Sequence, residues 1–159
     1  MENPHRKPIL AAVDFSAESK AALEFAARLC ASEERPLVVL HVVHDKGSNG
    51  GSYRRPADFG SLLPLHEIAE RSMHDFFSRV CKEHAGPNAI TSARKIVVDG
   101  LPVTRILEFA RHVDAGHIVL GYSERGRLAR MFDGSVSKSL ATKSPVPVSV
   151  IHAQAQAAQ

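Results

Sequence analysis

The sequence predicts one α/β domain: an open, five-stranded parallel sheet with helices on both faces. Three observations carry that expectation. Apolar runs that do not alternate with polar residues, such as Leu37–Val43 (LVVLHVV), read as strands buried on both faces. The stretches between them carry apolar residues at helical spacing. The two kinds of segment follow one another strictly, β-α-β-α-β-α-β-α-β, and that order requires parallel strands joined by right-handed crossovers.

The first strand is expected at Pro8–Val13 and ends at Asp14-Phe15-Ser16, with Ser16 a side-chain cap for the helix that follows. Ala22, Phe25, Ala26 and Leu29 form the inner face of that helix, and Pro36 lies beyond its end. The second strand is Leu37–Val43. Asp45 to Gly60 is rich in Gly, Ser and Arg and is longer than compact domains usually need, so it is either a functional cover or an unstructured connector. Its start at the carboxyl end of strand 2 puts Arg54 and Arg55 within chain reach of a ligand bound there.

Leu65, Ile68, Ala69, Met73, Phe76 and Val80 mark a helix within Leu62–His84, stopped by Gly86-Pro87. Arg94–Val98 is the third strand. Gly100-Leu101-Pro102 opens the third helix, with proline near its first turn, where no N–H is missed. Ile106, Leu107 and Ala110 are its inner face. Ile118–Leu120 is the fourth strand, and the stretch from Gly121 to Gly134 leads to a helix starting near Ser135. Val146–Ile151 is the fifth strand. Residues 1–7 are a polar extension, 8–152 the domain, and 153–159 a flexible Ala/Gln tail.

Composition excludes several functions. Twenty basic against 17 acidic residues leave a net charge of +3, too small an excess for nucleic-acid binding, and no basic block exceeds Arg54-Arg55. Cys30 and Cys81 sit in helical apolar patterns and read as buried thiols without zinc-ligand spacing. No apolar run approaches the roughly 20 residues of a membrane span. These features predict a cytoplasmic protein with neither nucleic-acid nor membrane partners. His41 and His44 differ in strand parity, and the nine histidines show no ligand spacing, so they are expected at the surface or the edge of the core. No Gly-x-Ser-x-Gly elbow occurs. Gly121-x4-Gly126-Arg127 lacks the Lys and Ser/Thr of a phosphate-binding P-loop. No catalytic residue and no metal ligand is singled out.

Two loops at carboxyl strand ends hold the candidate chemistry, because ligands of open parallel sheets sit there. Asp14 offers an acceptor for ribose hydroxyls. Gly121 to Gly134 ends at a helix start, where free N–H groups and the helix dipole favour phosphate, and Ser135 adds a hydroxyl donor. The alternative is that these glycines only turn the chain.

The same residues resemble the universal stress protein family. Its phosphate loop is Gly-x2-Gly-x9-Gly-Ser/Thr, and this sequence reads Gly121, Glu124 and Gly134-Ser135 at that spacing. Val13-Asp14-Phe15-Ser16, Leu40-His41-Val42-Val43, Gly100-Leu101-Pro102, Asp114–Gly121 and Ser144–Ile151 are similar to the family's other motifs, in order. The resemblance implies a Rossmann-like fold of the adenine nucleotide alpha-hydrolase type, with strand order 3-2-1-4-5. It implies a site for ATP or AMP, with Mg as a possible companion. In that site Asp14 lies by ribose or adenine, the Val42 backbone reads the adenine edge, Gly121 lies against ribose, and Ala12 is a further nucleotide-binding position. Gly126 matches a further family glycine, and Gly134, Ser135 and Val136 hold phosphates. It also implies a homodimer through strand 5 (Val146–Ile151) and client proteins that the sequence does not identify. Glu124 departs from the pattern by placing a carboxylate where nucleotide-binding members carry glycine. Three readings follow: a stress-response module that binds adenine nucleotide weakly, a nucleotide-free dimeric interaction module, and a slow ATP hydrolase.

Overall fold

Continuous apolar runs can be buried on both faces only at the centre of a sheet, and the chain puts them there. The computed structural model describes residues 6–44, 65–84, 88–122 and 134–153. Its elements are β1 (Ile9–Ala12), α1 (Ala17–Glu33), β2 (Leu37–Val43), α2 (Leu65–Glu83), β3 (Arg94–Asp99), α3 (Pro102–His112), β4 (His117–Tyr122), α4 (Gly134–Lys143) and β5 (Val148–His152). All neighbours pair in parallel, in the order β3-β2-β1-β4-β5. The expected fold class and strand order are both found. The Asp45–Gly60 loop, Glu124, Gly126 and the tail beyond Ala153 lie outside the described residues.

β1 and β2 are buried along their whole lengths, whereas the edge strands mix half-buried with exposed residues: Arg94, Lys95 and Asp99 are exposed in β3 and His152 in β5. Strand parity sends side chains to two cores. Ile9, Ala11, Val13, Val39 and Val119 pack under α1 and α2, with Leu23, Phe76, Phe77 and Val80. Leu10, Ala12, Leu40, Val42, Ile118 and Leu120 pack under α3 and α4, with Ile106, Leu107 and Leu140. Each fully buried aliphatic side chain contributes about 1.5–3 kcal/mol of transfer free energy. Gly121 decides how closely α1 approaches. A Cβ there would lie 2.5 Å from the backbone C and O of Glu18, atoms that cannot swing away. Any side chain at 121 would therefore push α1 off β4.

Three boundaries differ from the sequence reading. β1 stops at Ala12 rather than Val13, because the chain turns away at Phe15 (φ 65°), although Val13 N–H still donates to Leu40 O at 2.9 Å. β5 begins at Val148 rather than Val146: Val146 N–H is taken by Ser144 Oγ (3.2 Å), and Pro147 has no N–H to donate. α2 begins at Leu65 within the described residues. His41 is a correction of another kind. It is fully buried in the core under α1 and α2, not at the surface or the core edge, because β2 is covered on both faces. Cys30 is buried and Cys81 half-buried, and both are free thiols.

Candidate functional site

Register sets the level of the site. Ala12 pairs with Leu40 on one side and Leu120 on the other, so Asp14, Val42 and Tyr122 stand two residues further on, at one height. The carboxyl ends of β1, β2 and β4 thus open together. α4, from Gly134, is the next element after β4 in the chain.

Asp14 is anchored by the start of α1. Its Oδ1 accepts from Ser16 N–H (3.1 Å), from the Ser16 hydroxyl and from Ser19 Oγ (2.5 Å), while Asp14 N–H donates to Ser19 Oγ (2.8 Å). Ser16 is the N-cap, its Oγ accepting from Ser19 N–H at 3.1 Å. The carboxylate therefore lies at the positive end of the α1 dipole, which favours its charge. Among the described residues Oδ2 takes no hydrogen bond, so a single oxygen holds the turn. Sequence reasoning found Asp14 and Ser16 but missed Ser19. The signal was there: three polar residues at 14, 16 and 19 converge only if a helix starts between them.

Phe15 occupies the left-handed region, an expensive conformation for a bulky residue, at about 1–2 kcal/mol. Its ring offsets that cost by packing 4.2 Å from the His41 ring and 5.6 Å from the Phe76 ring, centroid to centroid. His41 Nδ1 lies 2.8 Å from Val13 O. A carbonyl only accepts, so Nδ1 carries the proton. Burial pushes the His41 pKa down to about 4, against the opposing pull of the Val13 carbonyl and the Asp14 charge, and the ring is neutral at physiological pH.

The other candidate residues divide. Ala12 is fully buried, its side chain in the core under α3 and α4, so any ligand would meet only its backbone. The Val42 side chain points into the same core, leaving its peptide group to face outward in the plane of the sheet. Gly121 has a packing reason of its own, the approach of α1. Ser135 is exposed and Val136 is buried in the first turn of α4. The described structure brings Asp14, Val42 and Gly121 to one end of the sheet.

A cavity of about 770 Å³ lies at the opposite end, lined among others by Pro8, Glu34, Arg35, Pro36, Arg94 and His112. Its Arg35 is already committed. Nε donates to Lys7 O (2.7 Å), NH2 to Pro8 O (3.4 Å) and NH1 to Glu33 Oε2 (2.8 Å). The last turns of α1 and α3 end here and contribute partial negative charge. Arg35 is therefore a structural residue of this end.

The sequence description of the universal stress protein family matches residues 5–152. The chain belongs to that family. A universal stress protein of Mycobacterium tuberculosis is 33% identical over 153 residues, which are 96% of this chain and 50% of the relative. The chain thus spans about half the length of this relative. Among solved universal stress proteins, UspA from Lactobacillus plantarum superposes with a TM-score of 0.64 at 25% identity, covering 94% of this chain and 99% of that one. A universal stress protein from Archaeoglobus fulgidus, in complex with dAMP, superposes with a TM-score of 0.61 at 26% identity, covering 95% and 99%. Among the described residues, no helix of this universal stress protein domain is long and apolar enough to cross a membrane.

Proposed function

We propose that this universal stress protein domain is a cytoplasmic regulatory module that binds an adenine nucleotide, ATP or AMP, weakly at the carboxyl ends of β1, β2 and β4. The anchored carboxylate of Asp14 carries the reading. One oxygen is locked by Ser16 and Ser19, and the other is left to accept from ribose hydroxyls. The dAMP bound to the A. fulgidus relative supports the ligand class. Gly121, Gly134, Ser135 and Val136 take the ribose and phosphates, with Gly126 in the same loop, and Mg accompanies ATP where three phosphates are present. Glu124 weakens the triphosphate by like-charge repulsion.

No residue is assigned a catalytic role. Output runs through protein contacts of a homodimer paired along β5, an edge strand without a charged residue to block pairing. Mass spectrometry of the purified, denatured protein tests the ligand: co-purified adenine nucleotide is expected. Its absence, together with no heat of binding for ATP, AMP or adenosine, would leave the nucleotide-free interaction module. Sedimentation tests the dimer, with dimer expected at micromolar concentration and monomer for Val148→Lys.

A further inference from the structure

The parallel ladder between β1 and β2 has a regular parity, and it breaks at one place. Ile9 N–H donates to Pro36 O and Val13 N–H to Leu40 O, both at 2.9 Å. Residues 9, 11 and 13 therefore turn their peptide groups toward β2, and residues 36, 38, 40 and 42 turn theirs toward β1. The next rung would run from Val42 N–H to Val13 O. Among the described residues it is not made. The Val13 carbonyl accepts instead from His41 Nδ1 at 2.8 Å.

We propose that His41 is a positioning residue for the ligand's purine: its ring takes the place of the next rung at Val13 and leaves the peptide group of Val42 facing the crevice. This inference rests on the nucleotide reading above and adds a residue to it. Val42 then presents one donor, its N–H, and one acceptor, its C=O, in the same direction. Adenine offers the complement on its Watson–Crick edge, an acceptor at N1 and a donor at the N6 amine.

The ring is well placed for this task. It is fully buried on the α1 and α2 face, so it cannot swing into solvent. Phe15 lies 4.2 Å away by centroids and is itself held in the left-handed conformation that turns the chain away from β2. The neutral ring donates without adding a buried charge. His41 thus links three features that are otherwise unrelated: the early end of β1, the strained Phe15 and the open peptide of Val42.

The test uses two variants of the full chain. His41→Phe keeps a ring against Phe15 and deletes the donor. His41→Asn keeps an N–H close to the position of Nδ1. Amide hydrogen exchange is read at Val42, the ring tautomer by nitrogen NMR, and adenosine affinity by calorimetry. In the wild type, the Nδ1–H tautomer and a Val42 amide that exchanges faster than that of Leu40 are expected. In His41→Phe the rung closes, Val42 protection rises about tenfold or more, and adenosine binds about tenfold more weakly. His41→Asn restores both to within about threefold of wild type. Any of three results overturns the proposal: the Nε2–H tautomer in the wild type, unchanged exchange at Val42 in a folded His41→Phe, or unchanged adenosine affinity in that variant. If the wild type binds no adenosine, the nucleotide reading falls and the purine role with it. The exchange and tautomer data then still decide whether His41 holds the strand ends open, so the two failures are told apart.

Discussion

The two ends of the sheet are built from the same strands and treat their polar groups in opposite ways. At the amino end, Arg35 is spent on two carbonyls and a carboxylate of its own chain. Lys7 pairs with Asp114 at 2.9 Å, and Arg6 lies within 3.4 Å of Glu34. At the carboxyl end, one residue is strained, one histidine is buried neutral, and a carboxylate is pinned by one oxygen only. The amino end holds an ample cavity whose Arg35 is turned inward onto its own chain. The carboxyl end holds outward chemistry that is costly to build. Volume alone would point to the amino end; the strained Phe15 and the pinned Asp14 are why the proposed site lies at the other.

The largest effect expected on this contrast is pH dependence at the carboxyl end. The folded His41 pKa, about 4, lies below the usual 6.5, so between those values the unfolded chain binds the extra proton. Stability should therefore fall as pH drops from about 6.5 to about 4 and gain nothing further from this group below that. At 1.36 kcal/mol per unit, the total is about 3 kcal/mol. Denaturant melts of wild type and His41→Asn across that range check it, and parallel curves would remove His41 as the cause.

Next is Asp14→Ala. It leaves Ser16 and Ser19 without their shared acceptor at the helix start, and a loss of about 2 kcal/mol is expected. Adenosine binding should vanish with it. Asp14→Asn should recover part of the stability but not the ribose contact. An Asp14→Ala protein that melts and binds as wild type does would return this end to the same standing as the other.

Glu124→Gly sharpens the ligand side. Two unit charges about 4 Å apart repel by about 4 kcal/mol at an effective dielectric near 20, and exposure cuts this to about 1–2 kcal/mol. ATP should bind about 5- to 30-fold more tightly and adenosine little changed, by calorimetry on both proteins. Unchanged ATP affinity would mean that Glu124 points away from the phosphates.

The smallest effect is expected at the amino end. Arg35→Ala removes three contacts of a partly exposed side chain and should cost about 1 kcal/mol, with adenosine affinity unchanged. A marked loss of binding in that variant would couple the two ends and end the comparison.

Legibility in the sequence follows the same contrast between local and distant causes. Leu37–Val43 was readable residue by residue, since a strand buried on both faces announces itself in composition. Ser16 as the cap of α1 was readable because a cap and its partner are three residues apart. Asp14 was readable as a candidate from its place after the first strand. Ser19 was not recognised, although its contribution is nearly as local. His41 was misplaced to the surface or core edge because single-residue counting weighs a histidine as polar and says nothing of what covers it.

The sequence by itself determined the alternation of strands and helices, the boundaries of β2, the cap of α1 and, through its motifs, the family. Each rests on residues within a turn or a strand of one another, or on their order along the chain. Only the tertiary structure decided where β1 stops, why position 121 must be glycine, and where the His41 ring sits. Val13 and His41 are 28 residues apart, and Glu18 and Gly121 meet across most of the chain. Such contacts depend on which strand lies beside which and on which face a helix crosses. Periodicity carries no record of either, because it reports how a segment is covered and not by what.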